Sequence, residues 1–287
     1  MDVRPLAPAL GAEVTSIDLT AVGRETFEAI LDVWSRYLVL VLPRQRLTDE
    51  ELAAFSRHFG QLDMAPPVEA TRVDGYSGSR LPEVTVISNV VANGKPIGAL
   101  GAGEAEWHTD MSYHDVPPSA SLLYALEIPP AGGDTSFCSM YAAYDTLPAD
   151  LLRSIRDRIA IHDITYTSAG DLRKGITPVQ DVTQTPGARH PLVRIHPLTK
   201  RKALFLGRRR NGYIVGLPVP ESEALLDRLW AHATQERFVF THRWSVGDIV
   251  IWDNRCVMHR REAFDPQSRR IMHRTQVKGE VPVAAAA

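Results

Sequence analysis

Hydrophobic residues along this chain fall into short, closely spaced runs, and few stretches keep a helical period. Phe27, Ile30, Leu31 and Trp34 recur at three- and four-residue spacing, the pattern of one helix face. Leu38-Val39-Leu40-Val41-Leu42 follows as an unbroken apolar run of strand length. Thr48-Asp49-Glu50-Glu51 has the form of a capping box and predicts a helix ending near Gly60. Strand-like runs cover 84–90, 122–128 and 135–140, and an amphipathic helix is predicted within 142–155. Short strands near Val193 and Leu204 and a helix from about 221 to 235 come next. Strands at 238–244, 248–252 and 270–277 complete the pattern. Many short strands with a few peripheral helices predict a mainly β sandwich or jelly roll, not a parallel α/β sheet.

Neither an internal repeat nor a Ser/Gly-rich linker divides the 287 residues, so a single domain over 1–287 is expected. Two polar stretches with little periodicity, 66–103 and 165–190, are long enough to act as lids over a site. They bring Asn89, Arg173 and Lys174 forward, together with Tyr113, as candidate substrate contacts. The stretch from about 280 to 287 reads as a loose tail.

Composition narrows the function classes. With 44% hydrophobic and 23% charged residues the chain can build a sizeable core. A formal net charge of −2 and a pI near 6.6 give no support for a nucleic-acid or membrane-surface partner. The basic run Arg208-Arg209-Arg210 is short and reads as solvated or as a contact between subunits. Cys138 and Cys256, two cysteines in all, exclude a disulfide framework and suit buried free thiols. No apolar run is long enough to span a membrane, and a cytoplasmic location is expected. Gly101-Ala102-Gly103 lacks the rest of a dinucleotide fingerprint, and neither a Walker sequence nor a G-x-S-x-G elbow is present.

The candidate chemistry lies in a split set of metal-ligand residue types. Trp107-His108-Thr109-Asp110 comes early, and His259 closes the later run Trp252-Asp253-Asn254-Arg255-Cys256-Val257-Met258-His259. Two histidines and a carboxylate form the facial triad of non-haem iron, which leaves the other faces of the metal open. With ten His and 34 acidic residues, about one His-x-acid pair is expected by chance, so the short motif alone carries nothing. Position adds weight: on a strand His108 and Asp110 would share a face, and His259 follows the strand-like Asp248 to Trp252. Arg270, Met272 and Arg274 would share one face of a later strand. Two guanidinium groups pointing inward need anions opposite them, and a dicarboxylate supplies one.

These runs, with Gly132-Gly133-Asp134-Thr135, Arg269-Arg270-Ile271-Met272-His273-Arg274 and an opening strand within 10–19, resemble the taurine dioxygenase and 2,4-dichlorophenoxyacetate dioxygenase family of Fe(II)/2-oxoglutarate oxygenases. The resemblance covers about residues 6 to 279. It implies a double-stranded β-helix, a jelly roll with the metal in its mouth. It further implies Fe(II) held by His108, Asp110 and His259, and 2-oxoglutarate held at its distal carboxylate by Thr135 and Arg270. Arg274 would lie near the anionic group of the organic substrate and the co-substrate, with Asn89 and Tyr113 as further contacts; Trp252 reads first as packing around the metal and second as a substrate contact. O2 is then the second co-substrate, succinate and CO2 are co-products, and an unactivated C–H bond is hydroxylated. Asp110 favours hydroxylation, because halogenating relatives lack that carboxylate. A homo-oligomer, dimer or higher, is expected by the same resemblance.

Substrate choice follows from fewer residues. Arg274 favours a small organic anion. The segment from His232 to Cys256 looks closer to the 2,4-dichlorophenoxyacetate branch, and no His lies between Gly60 and Trp107, where taurine-specific members carry one. The expected substrate is an aryloxyalkanoate-like carboxylate; a taurine-type alkylsulfonate or alkyl sulfate is the alternative. A metal-dependent jelly-roll binding protein without turnover is the non-enzyme alternative, against which Thr135 and Arg270 argue.

Overall fold

The computed structural model describes residues 1–64, 79, 81–98, 101–173 and 175–285. Eleven strands build its two principal sheets: β1 (Asp2–Pro5), β2 (Ala12–Thr15), β3 (Val39–Leu42), β4 (Thr85–Ser88), β5 (Ala105–His108), β6 (Ala120–Glu127), β7 (Thr135–Ser139), β8 (Val239–His242), β9 (Ile249–Asp253), β10 (Val257–Arg261) and β11 (Ile271–Val277). The larger sheet runs β1-β2-β3-β9-β6-β11-β4, and the smaller runs β8-β7-β10-β5. Five helices surround them: α1 (Arg24–Tyr37), α2 (Asp49–Arg57), α3 (Met140–Asp145), α4 (Ala149–Ile155) and α5 (Val219–Ala233). Strands outnumber helices, and the mainly β prediction holds. No helix among the described residues is long and apolar enough to cross a membrane.

The apolar run at 38–42 is unbroken because both faces of β3 are covered. Val39 and Val41 join a core shared with Leu123, Trp252 and Met272 of the large sheet and Phe137 and Val257 of the small one. Leu40 and Leu42 belong to a second core with Ile30 and Trp34 of α1 and Leu52 and Phe55 of α2. Alternate residues of one strand thus serve two cores. The capping box at the start of α2 is formed: Thr48 Oγ1 accepts from the Glu51 N–H at 3.2 Å, and Glu51 Oε2 accepts from the Thr48 N–H at 2.8 Å.

Three expectations change. The helix expected within 142–155 is two, α3 and α4, parted at Pro148, whose ring nitrogen has no N–H to continue the ladder. The strand within 10–19 is β2 and not the first, since β1 precedes it and pairs with it antiparallel. The tail is not wholly loose: Val283–Ala284 pairs with strand Val193–Ile195, and Glu280 takes an ion pair from buried Arg194 at 2.7 Å. Of the polar stretches, 65–78, 80, 99–100 and Lys174 lie outside the described residues.

One turn decides how the two sheets meet. Between β9 and β10 the chain leaves the large sheet and enters the small one through Asn254, Arg255 and Cys256. Asp253 fastens this corner. Its carboxylate accepts from Arg255 Nε and Nη2, both at 2.7 Å, and from the Arg255 N–H at 3.0 Å. His196 Nε2 reaches its Oδ2 at 3.0 Å. Burial alone would raise the Asp253 pKa, but the adjoining Arg255 holds the carboxyl well below the usual range. With both oxygens engaged, the nearby group His196, Asp253 and Cys256 reads as a structural clasp and not a metal site.

Asp253→Asn should therefore strand the buried Arg255 cation, at a cost of about 3–5 kcal/mol in a urea titration. Breaking the exposed Arg24–Glu28 pair should leave the denaturation midpoint in place. A loss below about 1 kcal/mol for Asp253→Asn would contradict this account of the corner.

Candidate metal centre and anion cavity

The site is laid out by strand register. Across the small sheet, Phe137 of β7, His259 of β10 and His108 of β5 lie side by side in one row. Thr135, Arg261 and Ala105 form the neighbouring row. Between these rows β10 advances two residues and β5 advances three, so β5 carries a bulge at Glu106-Trp107. Bulges re-aim side chains, and here the extra residue returns His108 to the face of His259. The chain then leaves the strand, and Asp110 lies in a turn before Met111, whose backbone is left-handed (φ 47°). Asp110 joins His108 through that turn and not through strand alternation, which corrects the geometry expected from the sequence.

The three side chains converge. Asp110 Oδ1 is 3.7 Å from His108 Nε2 and 3.9 Å from His259 Nε2, a spacing that a single ion can bridge. All three are buried. His108 Nδ1 donates to the Glu106 carbonyl oxygen at 2.7 Å, which fixes the tautomer with Nε2 free to bind a metal. Ser121 Oγ donates to Asp110 Oδ2 at 2.7 Å, and Asn254 Nδ2 in turn donates to Ser121 at 2.9 Å. One carboxylate oxygen is thus held while the other faces the histidines. Burial and then His259 push the His108 pKa well down, and burial also lowers that of His259. Both imidazoles favour the neutral, ligating form. Burial would raise Asp110, but the Arg274 cation keeps it ionised, well below the usual range.

A cavity of about 280 Å³ opens onto this group. One end carries an unmet positive charge. Arg270 is 2% exposed, and its Nε and Nη2 have no hydrogen-bond partner. Burial, and next the neighbouring Arg261, push its pKa down to about 9; burial lowers Arg261 to about 10. Arginine gives up its proton reluctantly, so a buried guanidinium of this kind is a waiting site for an anion. Thr135 Oγ1 accepts from Trp244 Nε1 at 2.9 Å, leaving its own hydroxyl proton to donate elsewhere. Gly132 (φ 74°) permits the tight approach before Thr135, because a Cβ there would lie 2.7 Å from the Ala263 carbonyl oxygen.

The remaining candidates divide. Arg274, Tyr113, Arg173 and Trp252 line the cavity with His108, Asp110, His259, Thr135 and Arg270. Trp252 packs its ring 4.8 Å from that of His259, and Arg274 Nη1 donates to Asp110 Oδ1 at 3.3 Å. Asn89 is different, because its side chain is turned to backbone groups around Arg270. Its Oδ1 accepts from the Arg270 N–H at 2.9 Å, while Nδ2 donates to the Ser268 and Pro266 carbonyls. It braces the start of β11 behind Arg270 and is not among the cavity-lining residues. Sequence reasoning missed Arg261, Trp244, Ser121 and Arg208. Only Arg208 carried a signal, in the basic run read as solvated; it is 6% exposed and faces the cavity.

Comparison with known proteins identifies the family of the chain. The model of the taurine catabolism dioxygenase TauD, TfdA family matches residues 2–276. The alpha-ketoglutarate-dependent 2,4-dichlorophenoxyacetate dioxygenase of Cupriavidus pinatubonensis is 38% identical, over 94% of this chain and 95% of that protein. The (S)-phenoxypropionate/alpha-ketoglutarate-dioxygenase of Sphingobium herbicidovorans is 33% identical, over 97% and 95%. A crystal structure of AAD-2 in complex with Mn(II) and N-oxalylglycine superposes with a TM-score of 0.79 at 31% identity, covering 99% of each chain. This chain belongs to the TauD, TfdA family of dioxygenases.

Proposed function

We propose that this protein is a 2-oxoglutarate-dependent non-haem iron dioxygenase that hydroxylates a small organic anion, an aryloxyalkanoate-like carboxylate. The observation that carries this reading is the pairing, within one cavity, of the His108–Asp110–His259 group with the buried, anion-seeking Arg270. The donor set fits iron: two neutral imidazoles and one carboxylate that line an open cavity. The orphaned donors of Arg270, with the Thr135 hydroxyl, fit the distal carboxylate of 2-oxoglutarate. The relative bound to Mn(II) and N-oxalylglycine, an oxalyl compound of similar shape, supports the same use of the cavity.

When bound, the iron supplies the activation of O2 that this chain's own groups cannot perform. The residues do the remaining work. His108, Asp110 and His259 would hold the metal, and Thr135 and Arg270 would anchor the co-substrate. Ile87, Leu123 and Met111 provide an apolar wall for the organic body of the substrate. In the overall reaction one oxygen atom enters the substrate C–H bond and the other enters succinate, while the keto acid loses CO2. A hydroxylated carbon that also bears an ether oxygen then releases a phenol and leaves a carbonyl compound.

A panel of aryloxyalkanoates, alkylsulfonates and sulfate esters, followed by succinate and phenol release, tests the substrate class. Aryloxyalkanoates should stimulate succinate formation most, with equimolar phenol. Stimulation by sulfonates or sulfate esters alone would overturn the carboxylate assignment.

Arg270→Met tests the co-substrate seat through stability. Relief of an uncompensated buried cation should raise the melting temperature of the metal-free protein. The same change should weaken 2-oxoglutarate binding by at least about 100-fold, the loss of two charge-assisted hydrogen bonds of about 1.5–3 kcal/mol each. Fe(II) affinity should hold. A destabilised variant that binds 2-oxoglutarate normally would contradict the role given to Arg270.

A further inference from the structure

Two of the three candidate ligands are placed by sheet register, and the third is not. His108 and His259 stand in paired strands, whereas Asp110 sits in the turn 109–114, outside any ladder. Met111 within that turn has a left-handed backbone (φ 47°), which costs energy for a residue with a Cβ. The turn's own hydrogen bonds run from the Ser112 N–H to the Thr109 carbonyl at 3.5 Å and from the His114 N–H to the Met111 carbonyl at 3.0 Å. They leave the carbonyls of Ser112, Tyr113 and His114 to other partners. Those partners come from far along the chain.

A separate sheet supplies them, in which the strand Ile159–Asp163 lies between Gly187–Pro191 and Tyr213–Ile214. The Ala188 N–H donates to the Tyr113 carbonyl at 3.0 Å. His190 Nε2 lies 2.9 Å from the Ser112 carbonyl oxygen and 3.0 Å from that of His114. Carbonyl oxygens only accept, so Nε2 carries the proton and shares it between the two. The ring cannot easily turn away. It is 2% exposed and meets the rings of Phe205 and His162 edge to face, with centres 5.3 and 4.9 Å apart. Gly207 closes the other side, where its carbonyl accepts from the Thr109 N–H at 3.0 Å. Only glycine suits that position (φ 65°), because a Cβ would run into the His162 ring.

We infer that His190 is a positioning residue for the candidate metal centre: its shared N–H holds the turn that delivers Asp110 to the two imidazoles. This deepens the dioxygenase reading and rests on it for the metal. His190 is not among the residues that line the cavity, so it acts through the turn alone. Ser121 fixes the Asp110 side chain, and His190 fixes the backbone behind it. Metal coordination tolerates errors of only about 0.2 Å in a ligand distance. A turn free to shift therefore loses the carboxylate, while the histidines stay in their sheet rows. An apolar ring at position 190 would take the donor from the buried Ser112 carbonyl, and the turn would move to recover one.

Titration of the full-length protein with Co(II), a spectroscopic stand-in for Fe(II), tests this. His190→Phe keeps a ring and removes the donor; it should weaken Co(II) binding by about 10–100-fold and alter the visible spectrum of the bound ion, as a ligand is lost. His190→Gln, which keeps a side-chain N–H, should restore affinity to within about threefold, with the unmutated spectrum. Leu229→Ala, a cavity in the core behind α5, should lower the melting temperature and leave Co(II) binding as it was. Unchanged binding in His190→Phe, no rescue by Gln, or an equal loss in Leu229→Ala would overturn the inference. Nitrogen-15 spectra of the unmutated protein decide the matter if His190→Phe does not fold. They should show His190 protonated at Nε2 with slow solvent exchange; protonation at Nδ1 alone would overturn the assignment. If the unmutated protein takes up no Co(II), the metal-centre reading itself falls, and a bound ion that ignores His190 isolates the fault to the positioning role.

Discussion

The site depends on the pairing register of β10 with its neighbours in the small sheet. His259 faces the candidate metal position only because it stands opposite Phe137 on one side and His108 on the other. Side chains alternate along a strand, so a slip of one residue would turn His259 outward and bring Met258 or Arg260 into its place. The bulge in β5 belongs to the same constraint, since it adjusts a three-residue advance to a two-residue one. Outside the sheet, the register is held by the Asp253–Arg255–His196 clasp at the corner where the chain enters β10. Core packing reinforces it, with Phe137 and Trp252 pressed against the His259 ring.

Upon this frame the cavity is electrostatically unbalanced. The candidate ligand atoms of Asp110 and His108 are held from behind by Ser121 and the Glu106 carbonyl, so little rearrangement is needed to receive an ion. The arginines are treated otherwise. Arg270 is shut away from water with donors unused, which lowers stability in the absence of ligand and favours any dicarboxylate that fits. A structure selected for stability alone would place an apolar residue there. On the proposed reading, co-substrate binding draws on this source, because its distal carboxylate would relieve a cation that the fold has already desolvated.

Much of the architecture was legible in the chain. Leu38 to Leu42 announced a strand buried on both faces, and Thr48 to Glu51 announced the start of α2. His108, Asp110 and His259 were legible as a set through the surrounding motifs, although the His-x-Asp spacing had no statistical weight and the strand argument for it failed. What remained hidden depends on contacts distant in sequence. Ser121 matters through Asn254, 133 residues away. Trp244 matters through a hydrogen bond to Thr135, 109 residues away. The bracing of the Arg270 N–H by Asn89 was hidden too, because only the fold shows which backbone groups near Arg270 need partners. Arg208 was concealed by composition: its neighbour Arg209 does pair with exposed acids, while Arg208 turns inward one residue earlier. The break at Pro148 was visible in the sequence and was outweighed by a helical period on both sides of it.

The most direct test is an anaerobic titration of the purified protein with Fe(II) and then 2-oxoglutarate, followed in the visible spectrum. A 2-keto acid that chelates Fe(II) gives a weak charge-transfer band there. The structure predicts that the band appears at one equivalent of each, in the unmutated protein and not in His259→Ala. A protein that binds both components without the band, or a His259→Ala variant that retains it, would contradict the assembly of metal and co-substrate in this one cavity.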